Sequence, residues 1–289
     1  MDATILSAAQ WIEIIGQLRA VGTLRIKWQG GEPTTRPDFA DICAAVQAHG
    51  MICAVVTNGI VLARRPALFD SLDEVVVSLD AVTPALHDRN RGKGSHALAV
   101  RAIAEARARS CRVFVNMVVS RETIDEVEAM LEFCESRGVG LNAQPVMFSR
   151  GYQNPAASHL ALSVPEEQAF ERQLAGWKRQ GRKLMFSART HERAANWPDY
   201  TSPTTESAHE SSCMAGRDYL HIEPNGDVFP CILQGSGFVP RNIVNDGFET
   251  ALLNAQHHHC GDCFIPYLNE RKALFGLRPH AVVAWLRRG

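Results

Sequence analysis

Leu24-Arg25-Ile26-Lys27-Trp28, running straight into Gln29-Gly30-Gly31-Glu32-Pro33, reads as a short strand that stops at a polar, glycine-bearing tip. The pattern recurs downstream. Residues 51–57 form an apolar strand ending at Asn58-Gly59, and 74–80 a strand whose last six residues are Val-Val-Val-Ser-Leu-Asp. Residues 112–118 pass through Asn116, and 140–146 carry Gln144-Pro145. Helical spacing fills the intervals: 8–20 with Ser7 as N-cap, 37–49, a short helix after Gly59, 96–109 and 122–137. Strands alternating with helices of this length predict parallel pairing with right-handed crossovers. Strands apolar on both faces fit helices on one side and a barrel interior on the other.

In such folds chemistry collects at the C-terminal ends of the strands. The tips there are Gly30-Gly31-Glu32-Pro33, Thr57-Asn58-Gly59, Ser78 with Asp80, Asn116, and Gln144-Pro145. Each alone reads equally well as a turn. Five in succession on one rim point to a ligand site. Glu32 has two readings, a group inside that site or a cap of the adjacent turn.

Beyond Phe148 the pattern loosens. Residues 149–158 read as a loop, Ser163 caps a helix running to about 180 with Pro165 in its first turn, and 196–212 form a linker containing Pro198 and Pro203. The expected division is 1–150 for the barrel part, 151–205 for a helical bridge and linker, and 206–289 for a small metal-bearing domain.

That last part holds four cysteines. Cys213 and Cys231 bracket a predicted β-hairpin whose turn is Pro224-Asn225-Gly226-Asp227, and Cys260 and Cys263 form a Cys-x-x-Cys. Four such thiolates can close one soft metal site, zinc or an iron–sulfur cluster, with no open position for a substrate. Cys43, Cys53, Cys111 and Cys134 lie at least ten residues apart and read as buried core thiols. His257-His258-His259 reads as an exposed polar loop, and Glu223 and Asp227 as turn chemistry. No general acid or base can be named.

Composition excludes several classes. The 289 residues are 46% hydrophobic and 21% charged, ordinary for a soluble chain. A formal net charge of -1 argues against nucleic-acid binding. No apolar run approaches the roughly 20 residues that span a bilayer, and the N-terminus has no signal-peptide pattern. Eight cysteines in such a chain suggest reduced thiols and metal ligands, hence a cytoplasmic protein.

On the motifs just quoted the chain resembles the radical S-adenosylmethionine (SAM) superfamily, in particular members with a C-terminal twitch or SPASM-like auxiliary-cluster domain. Gly30-Gly31-Glu32-Pro33 is similar to the family's Gly-Gly-Glu-Pro motif, which contacts the amino group of SAM. Thr57-Asn58-Gly59 and Ser78-Leu79-Asp80 are similar to its Thr-Asn-Gly and Ser-Leu-Asp strand ends. His87-Asp88-x-x-Arg91-Gly92 continues the pattern, and the resemblance gives Arg91 a reach to the SAM carboxylate. The implied SAM-binding set is Gly30, Gly31, Glu32, Pro33, Asn58, Ser78, Asp80, Arg91 and Asn116. The implied ligands of an auxiliary [4Fe–4S] cluster are Cys213, Cys231, Cys260 and Cys263. The further cysteines of a full SPASM domain are missing, which implies the shorter twitch type.

The family's defining Cys-x-x-x-Cys-x-x-Cys is absent from the 289 residues. That triad holds the catalytic [4Fe–4S] cluster, whose open iron chelates SAM before its reductive cleavage to a hydrogen-abstracting radical. The expected fold is therefore α/β: a partial (β/α)6 barrel lacking its first strand and cluster loop, then a small β-hairpin plus helix domain. Three explanations of the missing triad stay open: a true start upstream of Met1, a natural truncation, or a second polypeptide supplying it. The first is preferred, because the helix at 8–18 opens flush with the chain. An unpaired barrel edge would also make this chain alone less soluble. The implied function is hydrogen abstraction from a small metabolite or peptide, with a flavodoxin or ferredoxin as electron donor, though not by the chain as given. The auxiliary cluster would carry electrons or reinforce a small domain. The rival is a non-catalytic single-cluster or zinc protein derived from the family.

Overall fold

A computed structural model describes residues 5–147, 155–200, 213–233, 238–258, 263–278 and 282, without the side chains of 155–157. The chain forms two compact units, Trp11–Val146 with Gln180–Met185, and Met1–Gln10 with Met147–Arg179 and Phe186–Gly289.

The first unit is built on five parallel strands in chain order: β1 (Arg25–Trp28), β2 (Ile52–Thr57), β3 (Glu74–Ser78), β4 (Arg112–Val119) and β5 (Gly140–Pro145). Parallel neighbours need a crossover, and helices supply most of it. These are α1 (Ala8–Ala20), which precedes β1, then α2 (Phe39–Ala48), α3 (Ile60–Arg64), α4 (Pro84–Arg91), α5 (Ser95–Ala108) and α6 (Val127–Ser136). The helix expected over 122–137 divides into a 3₁₀ turn, Ile124–Glu126, and α6. Ser120 and Thr123 cause the break, since their hydroxyls accept the N–H groups of Glu122 and Ser120 and hold the chain in a turn. After β5 a single parallel bridge, Leu141 to Leu184, adds the next position of the sheet.

Register sorts the side chains onto two faces. One carries Trp28, Cys53, Val55, Val75, Val77, Val113, Val115 and Leu141. Trp11 on α1 meets Trp28 edge-on at 5.3 Å, and Cys43 on α2 lies against Cys53. Cys43, Cys53, Cys111 and Cys134 are all buried, free thiols, as expected. Contact with Cys53 and burial both raise the Cys43 pKa, and burial pushes Cys134 up to about 12. The opposite face is polar at intervals: Arg25, Lys27, Glu74, Arg112, Asn116, Asn142 and Gln144. Small Ala54 lets Arg25 reach across β2 to buried Glu74, whose other oxygen lies 3.9 Å from Arg112.

The second unit holds α7 (Val164–Arg179), α8 (Ala188–Ala195), a three-stranded antiparallel sheet of β6 (His221–Ile222), β7 (Asp227–Phe229) and β8 (Arg241–Asn242), then α9 (Phe248–Gln256) and α10 (Pro266–Phe275). The expected hairpin is β6–β7, and Gly226 supplies its positive φ of 94°. Strand β8 and helices α4 and α8 carry no signal that the sequence reading used. Helix α8 begins where Glu270 of α10 accepts from Ser187 N, Ser187 Oγ (2.7 Å) and Thr190 Oγ1 (2.7 Å). A buried carboxylate at a helix N-terminus satisfies its orphan donors and its dipole. No helix among the described residues is long and apolar enough to cross a membrane.

Candidate functional site

The rim of the first unit is knitted together by Glu32. Its Oε1 accepts from the Thr34 hydroxyl (2.5 Å), the Thr34 amide (3.3 Å) and the Thr57 hydroxyl (2.8 Å), and its Oε2 accepts from the Asn58 amide (2.8 Å). Glu32 is thus the N-cap of the 3₁₀ turn Pro33–Thr35 and a tie between the exits of β1 and β2. Thr57 Oγ1 accepts from Gly59 N, Asn58 Oδ1 accepts from Ile60 N, and Gly59 sits at φ 78° where a Cβ would stand 3.0 Å from that of Ala102. Gly30 (φ 129°) and Gly31 are exposed, with no heavy atom within 4 Å of where a Cβ would be. Their bare backbone is open to a close-approaching ligand.

The exits of β3 and β4 meet at Asp80. It forms a two-point ion pair with Arg91, through Nε and through Nη2 (3.1 Å), and accepts from Val118 N at 3.0 Å. Its own amide donates to Nδ1 of His87, which is 1% exposed. Burial lowers the His87 pKa, consistent with the neutral ring that this acceptor role needs. Asp88 accepts from Gly94 N (2.6 Å) and His96 N (2.8 Å) at the start of α5, and these bonds lower its pKa. His87, Asp88 and Arg91 therefore each have a local partner. Ser78 is buried and in register with Asn116, whose Oδ1 accepts from Asn142 Nδ2 at 2.6 Å. Asn142 also reaches Gln144 Oε1 at 3.4 Å. Asn142 escaped the sequence reading, although its place two residues before Gln144 on one face of a strand was the available signal.

In the second unit Cys213 and Cys263 line one cleft with Tyr219, Asn269, Arg271 and Lys272, about 430 Å³ including its open mouth. Cys231 and Cys213 lie within electrostatic reach of Cys263, while Cys260 lies outside the described residues. Burial pushes Cys231 up to about 11 and Cys263 up to about 12, so a cation must bind before either is a thiolate at neutral pH. Cys231 Sγ accepts from Leu233 N at 3.4 Å. Cys263 begins an apolar cluster with Phe264, Ile265, Trp197 and Tyr200, and Asn269 Nδ2 donates to its carbonyl at 2.7 Å. Among the described residues no three His, Cys, Asp or Glu side chains stand close enough to hold a single metal ion. Tyr219, Tyr267 and Arg271, beside Cys231, were not singled out from sequence.

The family model of the Radical SAM superfamily matches residues 2–134. The mycofactocin maturase MftC of Mycobacterium ulcerans is 30% identical over 271 residues, covering 88% of this chain and 68% of the relative. The PqqA peptide cyclase of Ruegeria pomeroyi is 29% identical over 235 residues, 78% of this chain and 59% of that protein. The crystal structure of Streptococcus suis SuiB bound to S-adenosylmethionine superposes with a TM-score of 0.64 at 17% identity, over 88% of this chain and 59% of SuiB. The last figure is a likeness of fold. This chain spans about three fifths of the length of the cyclase and of SuiB.

Proposed function

Since the chain belongs to the radical SAM superfamily, we propose that it is part of an enzyme acting on a peptide, with SAM at the barrel rim and an auxiliary [4Fe–4S] cluster in a twitch-type domain. The rim carries this reading: Glu32 and the Asp80–Arg91 pair fix four strand exits beside the open backbone of Gly30 and Gly31. SAM on a three-cysteine cluster supplies hydrogen-atom abstraction. The chain's own part is to bind and orient. Gly30, Gly31 and Pro33 shape the edge that the SAM amino group approaches, while Nη1 of Arg91 is left for its carboxylate. Asn58, Ser78 and Asn116 offer polar groups along the rim. The name of the cyclase supports a peptide as substrate class, and a cytoplasmic flavodoxin or ferredoxin is a fitting one-electron donor.

Cys213, Cys231, Cys260 and Cys263 are the proposed cluster ligands. A zinc ion sits about 2.3 Å from each sulfur and needs no cavity between them. The family, whose chemistry runs on iron–sulfur clusters, supports a cluster over zinc. The second reading, a non-catalytic single-cluster or zinc protein, is favoured by the absence of Cys-x-x-x-Cys-x-x-Cys. On either reading the chain as given forms no 5′-deoxyadenosine.

Anaerobic reconstitution tests the cluster. About four irons and four sulfides per chain are expected, with loss in each of the four Cys→Ala variants. Stoichiometric zinc in a colourless protein would overturn it. Saturation-transfer NMR tests the rim: weak SAM binding is expected, and Gly31→Val should abolish it by filling open space without straining the fold. SAM binding unchanged in that variant contradicts the assignment.

A further inference from the structure

Three carboxamides stand together on one face of the five-stranded sheet, and two of their ends are unspent. Ser78, Asn116 and Asn142 are in register across β3, β4 and β5, and Gln144 follows two residues along β5. Burial alternates along β5, with Leu141, Ala143 and Pro145 buried and Asn142 and Gln144 half-buried. Helices cover the other face, where Trp11 meets Trp28 and Cys43 meets Cys53. Asn142 Nδ2 donates to Asn116 Oδ1 at 2.6 Å and to Gln144 Oε1 at 3.4 Å. A carboxamide nitrogen carries two hydrogens, and both are thereby used, so Asn142 Oδ1 is fixed as an acceptor. Gln144 has offered Oε1 and keeps Nε2 as a donor. Neither atom has a hydrogen-bond partner among the described residues.

Charge is kept away from this row. Val56, Val76 and Phe114 form the row beneath it, with the Phe114 ring over Gly140, and the group of Arg25, Glu74 and Arg112 lies beyond them. On the other side Asp80 is already paired with Arg91. Asn142 and Gln144 lie about 6.6 Å apart along the strand, the length over which an extended peptide repeats the N–H and C=O groups of one edge. We infer that this pair grips the main chain of an extended, uncharged stretch of the substrate, Asn142 Oδ1 accepting a peptide N–H and Gln144 Nε2 donating to a peptide carbonyl. The inference rests on the peptide reading above. Asn116 is a positioning residue here, since it orients the Asn142 amide. Contacts of this kind read the backbone and leave side-chain identity to other parts of the protein.

The test is saturation-transfer NMR on the full chain with two probes, and with SAM binding measured alongside. The probes are N-acetyl-tetraalanine dimethylamide and the same peptide methylated at every main-chain nitrogen. Wild type should bind the first roughly fivefold more tightly, the worth of one neutral hydrogen bond. Asn142→Leu should erase that preference. Gln144→Glu keeps an oxygen for Asn142 Nδ2 but turns the donor into an acceptor, and should weaken binding of the first probe by roughly tenfold. A preference that survives in Asn142→Leu overturns the inference. If Asn142→Leu loses SAM as well, Gln144→Glu decides, and unweakened peptide binding there overturns it. Wild type that binds SAM but neither probe, or both probes equally, overturns it and leaves the SAM rim standing. Wild type that binds no SAM overturns the rim reading itself, and this inference with it.

Discussion

Glu32 Oε2 accepts the backbone N–H of Asn58 at 2.8 Å, so one carboxylate binds the tip of β1 to the tip of β2. Its other oxygen serves the Thr34 amide and two hydroxyls. Hydroxyls can rotate to donate or accept, but the two amides can only donate. Glu32→Gln places an NH₂ opposite one amide or the other, whichever way the side chain is turned. One buried N–H then loses its partner, at about 1–3 kcal/mol. Chemical denaturation should show that loss, and SAM binding should weaken with it. A fully stable variant would mean that the carboxylate is not the tie.

Asp80 does for β3 and β4 what Glu32 does for the first two strands. Asp80→Ala removes the acceptor of Val118 N and the partner of Arg91, whose side chain is 28% exposed. Hydrogen bonds to charged groups contribute about 1.5–3 kcal/mol each, and partial exposure of the arginine puts the expected loss near the lower end. Arg91→Lys should behave differently. It retains a charge but loses the two-point geometry, so stability should change little while SAM affinity falls. Equal effects in both variants would count against a ligand-directed role for Arg91.

The five strands were legible in the sequence because β2, β3 and β4 are runs rich in Val and Ile, and all five end at a polar stop at regular intervals between helices; the observed limits lie within about two residues of those expected. The strand-end motifs were legible for the same reason. What each motif residue does was not legible. Asp88 caps α5 through Gly94 and His96, six and eight residues later, and His87 accepts from Asp80, seven residues earlier, so both roles depend on how the chain folds back between helices. Strand β8 has two residues and is held by Asn242 reaching Asn225 and Asp227, long-range bonds that leave no periodic trace. The contact of Arg271 with the Tyr219 ring was invisible because the two lie 52 positions apart in the chain. The nearness of Cys213 and Cys231 was legible from spacing, since a hairpin brings its own ends together.

Two buried groups should give the protein opposed pH responses. Burial and the nearby carboxylate of Glu171 push Glu167 up to about 8, from 4.5. Below about 4.5 the group is protonated folded or unfolded and costs nothing. Between 4.5 and 8 the folded state must keep a proton that the unfolded state releases, so stability falls with rising pH and the loss is complete above 8. His87 acts the other way: its depressed pKa favours the unfolded state as pH falls below 6.5. Melting curves should therefore show Glu167→Gln stabilising at pH 8 by several kcal/mol at most, with almost no effect near pH 4.5. A stabilisation independent of pH would refute the burial argument.

Gly216 offers the sharpest structural test of the cysteine-bearing unit. It lies at φ 82°, and its amide is shared between Tyr219 O at 2.6 Å and Pro230 O at 3.1 Å, which closes the turn after Cys213. A Cβ built there would stand 2.1 Å from the carbonyl oxygen of Ala255 and 2.7 Å from its carbon, both backbone atoms of α9 that cannot swing aside. Gly216→Ala combines this overlap with a backbone conformation that alanine disfavours, and the two together should cost at least about 2 kcal/mol. The turn would have to lift off α9, carrying Cys213 from the cleft it shares with Cys263. Iron retention after reconstitution should fall along with thermal stability. Gly31→Ala, at an open position, is the matched control and should change neither. If Gly216→Ala loads iron like the wild type, Cys213 does not depend on this turn for its position, and its place among the ligands would have to be sought in another arrangement.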